Sequence, residues 1–219
     1  MAAVSETIVR EYFELHEFLV RQHRKYVAPN RRADEDDDID FFVLNPKPQR
    51  TDGQIPFVLS SADLVHIGRA IVVVKGWHTE TFSSARLEQL PQIFRFVEPK
   101  VFEHASKAFG HDGKPMKILV VPALPQGAQG REQSITLLRA KGIDAVIPFR
   151  TILDGLVRGI EVNRNYQKSD LLQIIRILKN YDFFKSSQLE LFKQKRRKEP
   201  GKRGQKTPPR QPGKEGIAS

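Results

Sequence analysis

The 219-residue chain contains no cysteine. Without a thiol there is no disulfide framework, thiolate zinc finger, iron–sulfur centre or cysteine nucleophile. No stretch approaches the roughly 18 consecutive apolar residues of a membrane-spanning helix. The opening Met1-Ala-Ala-Val-Ser-Glu6 also lacks the basic segment and apolar core of a secretory signal. Glycine-rich phosphate loops of the Walker and Rossmann types are missing, which removes NTPase and dinucleotide-binding readings. No repeat at periods of about 20 to 50 residues points to a solenoid or propeller, and no nucleophile elbow frames a serine. Zinc is not expected: His16 and His23 stand at i and i+7, and His66, His78, His104 and His111 show no ligand spacing. The chain is therefore expected to be soluble and cytoplasmic, with no membrane partner.

Charge is abundant but uneven. The net charge is +10, from 36 Lys and Arg against 26 Asp and Glu. Residues 193–219 alone hold ten basic and two acidic residues, with four Pro, four Gly and no aromatic. Such a segment cannot bury enough apolar area to offset its ordering entropy, so it reads as a disordered basic tail behind a nearly neutral domain over 1–192. Lys195, Arg196, Arg197, Lys198, Lys202 and Arg203 form its densest part. They would attract a polyanion through counterion release, with DNA or RNA the leading partner. In a eukaryotic cell Lys195–Lys198 would also serve as a nuclear import signal. A membrane surface is disfavoured because apolar anchors are absent from the tail.

Periodicity orders the rest. Apolar or aromatic residues at Ile8, Val9, Tyr12, Phe13, His16, Leu19 and Val20 predict a helix from about Ser5, its N-cap, to Arg24. A short strand at Lys25–Ala28 and a solvated acidic run at Asp34–Asp40 follow. Ile39–Leu44, Ala70–Val74, Lys117–Pro122 and Ile143–Phe149 read as strands. Helical patterns fill 83–110, broken by Pro91 and Pro99 and stopped at Gly110, then 131–141 and 151–160. A last helix capped by Ser169 or Asp170 is expected to bury Leu171, Leu172, Ile174, Ile175 and Leu178, with Lys168, Arg176 and Lys179 outside the apolar stripe and available to phosphates. Strands alternating with helices after a meander predict an α/β sandwich with a mixed sheet.

The chemistry concentrates in Asp38-Ile-Asp40-Phe-Phe-Val-Leu and Ala70-Ile-Val-Val73-Val-Lys75-Gly-Trp77. On adjacent strands, Val73 and Lys75 share one sheet face because side chains alternate. A lysine ending a buried strand needs a partner, a task, or an escape to solvent. Asp40 is a candidate partner, unless it belongs only to the acidic loop.

These residues resemble the PD-(D/E)XK nuclease superfamily, whose members place an Asp at the start of one strand and Glu-x-Lys on the next, after an N-terminal helix. Over about residues 5–180 the resemblance implies the restriction-endonuclease-like three-layer sandwich, a mixed central sheet flanked by helices. It also implies Asp40 as a catalytic, metal-binding carboxylate and Lys75 as the catalytic lysine, with Mg²⁺ or Mn²⁺ as cofactor. The second carboxylate position is Val73, which offers no ligand oxygen. The implied protein is thus a nucleic-acid binder with impaired catalysis. A relocated carboxylate from Glu11, Glu14, Glu80 or Glu88 would instead give an active divalent-metal-dependent nuclease. A third reading is a protein-interaction scaffold, and a homodimer fits any of the three. Trp77 and His78, just past the strand, can stack on a base or contact phosphate, although core packing is the commoner fate of a lone Trp.

Overall fold

The β-branched run at 70–74 forms the centre of a five-stranded sheet in the computed structural model, which describes residues 2–22, 39–51, 53–110 and 113–184. The strands are β1 (Leu19–Gln22), β2 (Phe41–Leu44), β3 (Arg69–Val74), β4 (Met116–Val121) and β5 (Ala145–Pro148), lying side by side in chain order. The β1–β2 and β2–β3 pairs are antiparallel, and β3–β4 and β4–β5 are parallel. The sheet is mixed, as expected. Backbone pairing of 57–59 with Val146 covers the outer edge of β5.

Helices cover both faces. On one, α1 (Ala2–Leu15), α5 (Phe149–Gly159) and α6 (Asp170–Asn180) bury Tyr12, Phe13, Ile152 and Leu172 against Phe41, Val43, Val72 and Val120. On the other, α2 (Ser84–Glu88), α3 (Pro99–Ser106) and α4 (Ala128–Ala140) bury Leu87, Phe102 and Leu138 against Phe42, Ile71, Val73 and Leu119. Period-two alternation along β2, β3 and β4 generates two separate cores from single apolar runs. The arrangement is compatible with a three-layer sandwich.

Four expectations are corrected. The first helix stops at Leu15, and Leu19–Gln22 form β1 instead of its last turns. Glu17 adopts φ 64°, the Phe18 N–H bonds to Phe13 O at 3.1 Å, and the Glu17 N–H bonds to Glu14 O at 3.0 Å. This is a Schellman closure, sealed by the Phe13 and Phe18 rings packed edge-on at 5.3 Å. Ser5 is accordingly no N-cap; it lies within the helix, fully buried.

On α6, Ile174 is 54% exposed, whereas Leu172 and Ile175 are buried. Arg176 and Lys179 turn inward: Arg176 Nε donates to Val162 O, and Lys179 Nζ donates to the Val157 and Ile160 carbonyls where α5 ends. Lys179 thereby complements the carboxyl end of α5, and Arg176 holds the loop that follows it. Ser169 does cap α6, accepting from the Leu172 N–H at 3.2 Å.

Pro91 and Pro99 divide the helical stretch as expected, into α2, a 3₁₀ segment at Pro91–Val97 and α3, and Gly110 ends it with φ 74°. The compact unit is Met1–Phe183. The expected strand at 25–28, most of the acidic run and the basic tail lie outside the described residues.

Candidate functional site

Phe41 pairs with Val72, and Asp40, just before the first regular pair of β2, reaches the same stretch of β3. The Asp40 N–H donates to Val72 O at 3.1 Å, and its Oδ2 accepts the Val74 N–H at 2.7 Å. The carboxylate thereby extends the β2–β3 ladder beyond the last regular pair. Lys75 follows at the carboxyl end of β3, half-buried, its N–H bonded to Val120 O at 3.0 Å. Asp40 and Lys75 thus converge on the same end of the β2–β3 pair.

Val73 has no exposed surface and packs into the core beneath α2, α3 and α4. The four candidate replacement carboxylates are placed as follows. Glu11 and Glu14 sit on α1, which packs on the opposite sheet face; Glu11 is buried beside Arg10, 3.6 Å away. Glu14 is held above the ordinary glutamate range by burial and then by the neighbouring charge of Glu11. Glu80 is engaged side-on by Arg86, Nε to Oε2 at 3.1 Å and Nη2 to Oε1 at 3.3 Å. Glu88 is exposed on α2. Among the described residues no three His, Asp or Glu side chains group as a metal site. The donor set at Asp40 and Val73 does not fit a divalent cation, which wants several oxygens at short range.

Beyond Lys75 the chain leaves the sheet through Gly76. A Cβ there would stand 2.3 Å from Ser5 Oγ on α1, so the close approach of loop and helix requires glycine. That approach brings Ser5 Oγ to 3.1 Å from His78 Nε2, and the His78 ring packs edge-on against Phe149 at 4.4 Å. Trp77 is 38% exposed and rests edge-on against buried Phe82, ring centres 5.9 Å apart. Trp77, His78, Glu80, Arg86, Leu90 and Gln92 surround a cleft of about 470 Å³. Sequence reasoning singled out Trp77, His78 and Glu80 but missed Ser5, Arg86, Leu90 and Gln92. The spacing of Glu80 and Arg86, six apart across a turn, carries no periodic signal, and Ser5 meets His78 across 73 positions.

No protein-family model, curated protein or solved structure matches the chain.

Proposed function

We propose that this protein binds nucleic acid through a nuclease-like scaffold whose metal-dependent catalysis is impaired. The observation that carries the proposal is the fully buried Val73, set between the two β3 residues, Val72 and Val74, that Asp40 bonds. The position where phosphodiester hydrolysis would need a second oxygen ligand is instead a packed part of the apolar core. Lys75 at the mouth of the same strand pair, a net charge of +10 and ten basic residues in 193–219 support a polyanionic partner. DNA and RNA both satisfy that chemistry.

The reading is tested by fluorescence anisotropy with labelled single- and double-stranded DNA and RNA, over a salt series, in Mn²⁺ or EDTA. Binding is expected to weaken steeply with salt and to be indifferent to EDTA. Deleting residues 193–219 should flatten the salt dependence by several units of log–log slope, and Lys75→Ala by about one. Affinity at low salt unchanged by the deletion contradicts the assigned role of the tail.

A further inference from the structure

We propose that the cleft beside Trp77 receives one unpaired nucleobase, which makes the protein selective for single-stranded over duplex nucleic acid. The inference rests on the nucleic-acid reading above and adds what part of the polymer this site takes. The cleft, about 470 Å³, lies outside the carboxyl end of β3, where open α/β sheets place their ligands. Its size suits one nucleotide.

The lining selects a flat, uncharged group. Trp77 supplies an aromatic surface anchored edge-on by buried Phe82 yet 38% exposed, and Leu90 adds an apolar wall. Arg86 is already paired side-on with Glu80 at 3.1 and 3.3 Å. The two charges offset each other, so the cleft offers no excess positive potential for a phosphate. Their side-on pair and the Gln92 amide that line the cleft offer donors and acceptors suited to the edge of a heteroaromatic ring. Lys75 lies two residues before Trp77, at the end of β3, where it can meet the backbone phosphate of a base seated in the cleft. A base within a duplex is already paired and stacked and cannot enter without being extruded.

Trp77 is the only tryptophan in the chain, so its emission reports on this cleft alone. The full-length protein is titrated with short oligothymidylate, the same strand annealed to oligodeoxyadenylate, an abasic strand of equal length, and thymidine monophosphate. Trp77 emission and probe anisotropy are read together. Oligothymidylate should quench the emission and bind at least about tenfold more tightly than the duplex, while the abasic strand leaves the emission unchanged. Trp77→Ala should weaken single-strand binding about 5- to 150-fold, with Trp77→Phe retaining most of it. Should Trp77→Ala lower the melting temperature, exposed Gln92→Ala serves instead, with weaker single-strand binding expected at unchanged stability. Equal affinity for strand and duplex with no change in emission overturns the base cleft and leaves nucleic-acid binding standing. Quenching by the monophosphate without binding of any strand supports a base cleft but overturns the nucleic-acid reading. No response to any probe overturns both.

Discussion

At the scale of single residues, Val73 and Tyr12 show how burial sets chemistry. Val73 lies in an apolar core, so Val73→Glu does not simply rebuild a metal site; it forces a carboxylate among Ile71, Leu119 and Phe102. We expect urea denaturation to show a loss of at least about 3 kcal/mol. Full recovery of stability on adding Mn²⁺ would contradict this. Tyr12 is buried, with its hydroxyl 2.9 Å from Ser61 Oγ. Burial pushes its pKa up to about 12, the Ser61 hydrogen bond opposing the rise and the charge of Asp63 adding to it. The unfolded chain ionises this phenol near 10 and the folded one only near 12. Its stabilising effect is therefore complete below pH 10 and is lost as pH rises through that window, by about 2–3 kcal/mol. Denaturation curves of the wild type and Tyr12→Phe, measured across this pH range, should converge as pH rises. At this scale the sequence made Asp40, Val73 and Lys75 legible, because strand alternation and register follow from apolar patterning. It did not reveal the Arg86–Glu80 pair or the Ser5–His78 contact, which depend on how loops fold back on α2 and α1.

At the scale of elements, β2 to β5 were legible because β-branched runs bounded by Pro, Gly and Asn have few alternatives. The end of α1 was not. Leu19 and Val20 continue the three-to-four spacing, and the residue that breaks the helix is Glu17 in the left-handed region, where glycine is the usual signal. Glu17→Gly keeps the Schellman closure while relieving the Cβ strain, and should raise stability by about 0.5–1 kcal/mol, read as a higher melting temperature. A decrease would mean that the Glu17 side chain makes a compensating contact. Packing between α1 and α5 is equally specific: a Cβ at Gly155 would stand 2.5 Å from Tyr12 Cε2. The inward turn of Arg176 and Lys179 escaped sequence reasoning because helical periodicity reports which residues avoid the apolar stripe, not which carbonyls lie within reach.

At the scale of the whole molecule, charge is spread unevenly along the chain. Residues 1–192 carry 26 basic and 24 acidic residues, while 193–219 carry ten and two. Under the proposed function, long-range attraction of a polyanion would fall to residues 193–219, and local recognition to the carboxyl end of β3, where Lys75, Trp77 and His78 emerge. Among the described residues no helix is long and apolar enough to cross a membrane. The central claim is that this arrangement binds without metal-dependent cleavage. The most direct test incubates the full-length protein with end-labelled single- and double-stranded DNA and RNA in Mn²⁺ or EDTA, and resolves the products on denaturing gels. The account predicts intact substrates in both conditions at protein concentrations that saturate binding. Cleavage that requires Mn²⁺ and disappears in Asp40→Ala would contradict it.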